Sequence, residues 1–275
     1  MEFRTPVSIA KPSFQIEPLE KMLFVGSCFA DSIGQRFCEE RFRATVNPYG
    51  TMYNPVSVQH TVERWTGEQE HLSGERLVVF ITLGTNHVYR LKATDEIVDN
   101  CQKRPQRLFT EEELTIDECA VSLQHTIDLL HTVCAETEVV LTVSPIRYAK
   151  YGFHESQLSK ATLLLAVDRL VKAGEATYFP AYEILLDELR DYRFYREDML
   201  HPSAQAVEYI WQQLSTYYFS TSAHRFLAEW KPVKEALAHR PFHPESKEYQ
   251  QFLCDTKQKE QELLTKYSSA TLPLS

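Results

Sequence analysis

The sequence has 275 residues, 43% hydrophobic and 24% charged, ordinary globular proportions that exclude a disordered or fibrous chain. A net charge of -9 argues against a nucleic-acid partner, which is held by clustered Lys and Arg. No apolar run reaches the roughly 20 residues a membrane span needs, so no membrane partner is expected.

Met1 to Gln15 carries Arg4 and Lys11 and lacks the apolar stretch of a signal peptide, which leads to the expectation of a cytoplasmic protein. The six cysteines at 28, 38, 101, 119, 134 and 254 form no Cys-x-x-Cys pair and read as reduced thiols, neither zinc ligands nor a redox couple. No cluster has metal spacing, so neither a metal nor an organic cofactor is expected. Glycine is scarce, 8 residues where average usage would give roughly 19, so each is expected at a position that demands one.

In chain order, Lys21 to Val25 is a short apolar run closed by Gly26. Ala30, Ile33 and Phe37 then recur at helical spacing, which predicts strand, turn and helix. Asn54-Pro55 caps a helix through about Trp65. Leu77 to Leu83 and Val88 to Leu91 read as strands, the first apolar enough to be buried on both faces. Thr110 and Glu113 have capping-box spacing ahead of a helix striped by Leu123, Ile127 and Leu130. Val139 to Val143 is a further strand, followed by a helix over about 156–173 with Gly174 as its left-handed cap and a strand near 176–179. Ser203 caps the next helix, and two or three polar helices over about 223–239 and 246–267 follow. This alternation predicts one α/β domain over residues 1–222, a parallel sheet covered on both faces, with a helical C-terminal extension over 223–275.

Two segments carry residues suited to chemistry. Gly26-Ser27-Cys28-Phe29-Ala30 places two nucleophilic side chains where a buried strand meets a helix N-terminus. Free N–H groups there can hold an oxyanion, and the positive helix end is expected to acidify a thiol. The plainer reading makes Ser27 a cap and Cys28 a small packing residue. In Asp198-Met199-Leu200-His201, a carboxylate three residues before an imidazole can fix its tautomer and leave Nε2 free as a base.

The string Gly26 to Ala30 resembles the signature of the GSCFA family, placed with the SGNH (GDSL-like) hydrolases, and Gly50-Thr51-Met52-Tyr53-Asn54-Pro55 fits the same family over about residues 20–220. The resemblance implies a three-layer flavodoxin-like fold of SGNH hydrolase type. It also implies an oxyanion hole from the Gly50 N–H and Asn86 of Gly84-Thr85-Asn86, and a base pair in Asp198 and His201. GDSL-like enzymes read Gly-Asp-Ser where this chain reads Gly-Ser-Cys, so register favours Cys28 as nucleophile and chemical identity favours Ser27; Cys28 is taken first and Ser27 as its alternative. Arg147, at the end of the strand over 139–143, is a candidate for an anionic substrate group, and Tyr49 and Tyr53 for an aromatic wall.

The implied activity is that of an acyl-ester hydrolase acting on a small-molecule or carbohydrate acyl group through a covalent acyl-enzyme. The alternatives are an acyltransferase with a thioester donor and a non-catalytic carbohydrate-binding module that kept the fold.

Overall fold

A computed structural model describes residues 4–72 and 74–270. Its centre is a parallel five-stranded sheet in the order β2-β1-β3-β7-β8, with β1 Lys21–Gly26, β2 Arg43–Val46, β3 Leu77–Leu83, β7 Thr137–Val143 and β8 Thr177–Tyr178. Counting parallel strands alone, the order is 2-1-3-4-5, the flavodoxin-like arrangement expected. A second sheet of three antiparallel strands, β4 His87–Leu91, β5 Glu96–Val98 and β6 Phe109–Glu113, is inserted between β3 and helix α3.

The period-2 alternation of the strands divides the core in two. Leu23 and Val25 of β1, Val79 and Ile81 of β3, and Leu141 of β7 pack against α2 Pro55–Glu68, α3 Ile116–Val133 and α4 Phe153–Ala173. Met22 and Phe24, Val78 and Phe80, and Val140 face the other way, onto α1 Cys28–Glu39 and α6 Ala204–Tyr218. β3 is buried at all seven positions because it lies mid-sheet with a helix layer on each side. A short helix α5, Ala181–Glu183, and a π-helical turn over Ile184–Leu189 connect β8 to the segment bearing Asp198 and His201.

Helices α7 Thr221–Ala238 and α8 Lys247–Ala270 form the C-terminal hairpin. Phe226 and Trp230 pack with Leu263 and Tyr267, and Trp230 Nε1 donates to the Glu39 carbonyl at 3.2 Å, joining the hairpin to the end of α1.

Two expectations need correction. Residues 109–113 are a strand, and the capping box lies five residues on. There the Thr115 hydroxyl accepts from the Glu118 N–H and the Glu118 carboxylate accepts from the Thr115 N–H. The spacing Thr-x-x-Glu occurs at both places, and the first is committed to pairing with β4. Residues 88–91 likewise belong to this antiparallel insertion rather than to the parallel sheet.

Candidate active site

β2 lies on one side of β1 and β3 on the other, so the chain leaves β1 in one direction and returns in the opposite one. The crevice beyond the carboxyl ends of β1 and β3 is therefore the topological switch point, the place where such sheets bind ligands. The turn at the end of β1 demands a glycine. Gly26 has φ +132°, and a Cβ there would lie 2.1 Å from the Thr82 carbonyl oxygen. The Gly26 N–H donates to Asn47 Oδ1 at 2.9 Å and the Ser27 N–H to the Thr82 carbonyl at 2.9 Å, which anchors the turn to both neighbouring strands.

Ser27 is fully buried at the N-cap of α1. Its Oγ accepts from the Phe29 N–H at 3.3 Å and lies 2.9 Å from Thr82 Oγ1. Cys28, the first helical residue, is half-buried, and its N–H has no carbonyl one turn earlier to bond to.

The second part of the site is the loop from Asp198 to His201. Asp198 Oδ1 accepts the N–H groups of Leu200 at 2.9 Å and His201 at 3.0 Å, while Oδ2 lies 2.6 Å from His201 Nδ1. Those two backbone donors, His201 first, and then the imidazole hold the Asp198 carboxyl down at about 2. The turn passes through Met199 at φ +57° and is fastened to the end of β7, where the Arg147 N–H donates to the Leu200 carbonyl and Arg147 Nη1 to the Met199 carbonyl, each at 3.0 Å.

Cys28 and His201 line one cavity of about 260 Å³, together with Asp31, Ile146, Arg196 and Pro202. It adjoins a wider groove of about 630 Å³ that shares Asp31, Ser32 and Arg196 and runs past Gln35, Arg36 and Glu208. Burial, and then the charge of Asp31, push the Cys28 thiol above its ordinary 9.0, while its helix N–H environment, Arg196 and Lys160 pull the other way. The expectation of an acidified thiol is thus reversed in the free protein, because desolvation outweighs the helix terminus. Asp31 is itself held by Asn47 Nδ2 at 2.7 Å and Thr51 Oγ1 at 3.1 Å. Among the described residues, no group of three or more His, Cys, Asp or Glu side chains stands close enough to hold a metal ion, and no helix is long and apolar enough to cross a membrane.

The GSCFA family profile matches residues 21–77 and 68–214. The chain belongs to the GSCFA family. A second profile, the C-terminal domain of GSCFA domain proteins, matches residues 230–272, which take in the second half of α7 and all of α8. No curated protein matches the chain. Similar solved structures include a member of the lipolytic protein G-D-S-L family from Veillonella parvula DSM 2008, 11% identical over 72% of this chain and 98% of that one, with TM-score 0.49. Another is a mutant of an acetyl-xylooligosaccharide esterase from Geobacillus Stearmophilus, 14% identical over 76% of this chain and 98% of that one, with TM-score 0.45.

Within this GSCFA chain the remaining candidates are placed differently from expectation. The Gly50 N–H donates to the Asn47 carbonyl at 2.9 Å and closes a turn, with the glycine at φ +99°; it is not presented to an oxyanion. Asn86 is 3% exposed, and its Nδ2 donates to the Leu114 carbonyl at 2.7 Å, which ties the end of β3 to the segment just before α3. Arg147 Nη1 donates to the Met199 carbonyl and its guanidinium lies 4.2 Å over the Phe153 ring, so it braces the histidine loop. Tyr49 stacks under Arg64 at 3.9 Å and lines a separate cavity of about 370 Å³ with His60 and Asp99. Tyr53 is 41% exposed and lies near enough to Cys28 and Asp31 for both to raise its phenol, after burial.

Sequence reasoning passed over Asp31, Asn47, Arg196 and Lys160. Asp31 had a signal, since three residues after Cys28 puts it on the same face of α1. Arg196 lies two residues before Asp198, and its N–H donates to the His201 carbonyl at 2.8 Å, a pairing across the loop that no linear spacing displays.

Proposed function

We propose that the protein is an acyl-ester hydrolase in which Cys28 is the nucleophile and His201 the general base, working on a small-molecule or carbohydrate acyl group. The observation that carries this reading is that Cys28 and His201 line the same cavity while Asp198 Oδ2 occupies His201 Nδ1 at 2.6 Å. That bond fixes the ring so that Nε2 is the nitrogen left to take a proton. Ser27 is the alternative nucleophile, and its burial and its two hydrogen bonds favour the capping role.

In the reaction, Cys28 Sγ attacks the ester carbonyl carbon as its proton passes to His201 Nε2. Because burial and Asp31 keep the resting thiol protonated, removal of that proton belongs to the attack itself. The imidazolium stays paired with the Asp198 carboxylate. The Cys28 N–H, free at the start of α1, is the donor best placed for the developing oxyanion. Collapse expels the alcohol, which takes the proton back from His201, and leaves a thioester on Cys28. A water, deprotonated by the same imidazole, then releases the acid and restores the thiol. Transfer to another acceptor would differ only in that last step.

The test is a panel of small acyl esters and thioesters assayed with the purified protein and its Cys28→Ala, Ser27→Ala and His201→Ala variants. The reading expects turnover that Cys28→Ala abolishes and that His201→Ala lowers by about 10²–10⁴. Loss of turnover in Ser27→Ala, with Cys28→Ala active, would move the nucleophile to Ser27.

A further inference from the structure

Lys160 of α4 is buried at 2% exposure, a residue type almost never found inside without a partner. Among the described residues it has no carboxylate partner. Its Nζ instead donates to two backbone carbonyls, Gly84 at 2.7 Å and Ser144 at 2.9 Å, and lies 5.6 Å above the Tyr182 ring. Carbonyl dipoles and one aromatic face compensate only part of the cost of a buried ammonium, and burial pulls Lys160 down to about 7.

The two acceptors are informative. In the sheet register Gly26 pairs with Thr82 and Leu83 with Val143. Two residues beyond Gly26 is Cys28, two beyond Thr82 is Gly84, and one beyond Val143 is Ser144. Gly84 and Ser144 are the first residues beyond β3 and β7 and Cys28 the second beyond β1, all at one end of the sheet, where neighbouring strands are only about 4.8 Å apart. An ammonium bonded to Gly84 and Ser144 therefore lies at the ends of the strands beside the one from which Cys28 emerges, near enough for the two groups to feel each other's charge.

We infer that Lys160 is a positioning residue for Cys28: its ammonium, held beneath the cleft by Gly84 and Ser144, supplies the positive charge that balances the thiolate formed during attack. This rests on Cys28 as the reacting atom. The charged and titratable groups facing Cys28 are Asp31 on its own helix, Tyr53 from the loop after β2, Arg196 and His201 from the loop before α6, and Lys160 from α4. Asp31 opposes a thiolate. Arg196 supports it from the cavity side, and Lys160 supports it from the dry side, where water does not screen the charge.

The test is the pH profile of Cys28 alkylation by iodoacetamide, followed by peptide mass spectrometry, in the wild type, Lys160→Met and Lys160→Gln. The glutamine variant keeps N–H donors for Gly84 and Ser144 and removes only the charge. Both variants should slow labelling at pH 6, where wild-type Lys160 carries its charge, by about 3–10-fold, and leave the rate above pH 9, where Lys160 is neutral, unchanged. An unchanged rate at pH 6 in folded protein would overturn the inference and leave Lys160 a packing residue. Should neither variant fold, the reciprocal measurement decides it, since coupling must act equally in both directions. The Lys160 titration, read by NMR on Cε-labelled lysine, should move upward in Cys28→Asp, which puts a fixed negative charge at the thiol's place, and no movement would overturn the inference. If Cys28→Ala keeps full activity while labelling at pH 6 still responds to Lys160, the acyl-enzyme reading falls and the charge coupling stands. If Cys28→Ala is inactive and labelling at pH 6 does not respond, the reverse holds.

Discussion

Arg147 Nη1 donates to the Met199 carbonyl at 3.0 Å, and the same residue's N–H donates to the Leu200 carbonyl at 3.0 Å. Two bonds from the end of β7 thus hold the two residues between Asp198 and His201, in a turn that Met199 enters at φ +57°. Arg147→Ala should loosen the imidazole without removing any group from the cavity. The expected outcome in the ester assay is a fall in kcat of about tenfold or more with KM nearly unchanged, since small displacements of a catalytic group are costly. A rise in KM alone would return Arg147 to a substrate-binding role.

Asp31 sets the opposite lever on the thiol. Its charge is the second cause, after burial, of the raised Cys28 value. A thiol is neutral when protonated, so a raised value means less thiolate at any pH below it, and removing Asp31's charge restores some. Asp31→Asn should move the iodoacetamide labelling midpoint of Cys28 downward and speed labelling near pH 8 severalfold. A midpoint that stays or rises would show that Asp31 acts only through its bonds to Asn47 and Thr51.

Asp198 titrates from about 2 rather than its ordinary 3.8 because the folded loop donates to its charged form. A depressed carboxyl contributes its ordering above its unfolded value and loses it as pH falls through the folded one, so the loop should keep its geometry from neutral pH down to about 3. Carboxyl-carbon NMR should record the low titration. Asp198→Asn should lower kcat by tenfold or more, through the wrong imidazole tautomer, and a variant of wild-type turnover would remove Asp198 from the mechanism.

Gly26→Ala tests the turn that aims Cys28. A methyl at φ +132° would sit 2.1 Å from the Thr82 oxygen, so strand pairing or the turn must give way. The expected cost is about 2–5 kcal/mol in urea unfolding, adding backbone strain to overpacking. A loss under about 1 kcal/mol would mean that the turn relaxes freely.

The parallel sheet was legible because its strands are unbroken apolar runs, such as Leu77 to Leu83, between helices marked by Asn54, Gly174 and Ser203. β2 was not, since Arg43-Ala44-Thr45-Val46 is a short edge strand with polar residues and no apolar run. Within the site, Cys28, Asp198 and His201 stood out by spacing as candidates, and the fold brings Cys28 and His201 to one cavity with Asp198 on the imidazole. Where a donor points was not legible: only the fold shows that the Gly50 N–H bonds the Asn47 carbonyl and that the Asn86 side-chain amide bonds the Leu114 carbonyl. Lys160 was hidden for the converse reason. A lysine in a helix reads as a solvated charge, and its burial depends on the ends of two strands more than 15 and 70 residues away in sequence, Ser144 and Gly84.

The claim that Cys28 carries the acyl group is tested most directly by trapping it. Protein mixed with an activated acetyl ester, quenched in acid and digested, should yield one acetylated peptide, the one containing Cys28. The modification should be labile to hydroxylamine as a thioester is, absent from Cys28→Ala, and persistent in His201→Ala once formed, because deacylation needs the same base. An acetyl group on Ser27, or a protein that turns over the ester with Cys28 unmodified and replaceable by alanine, would contradict the account.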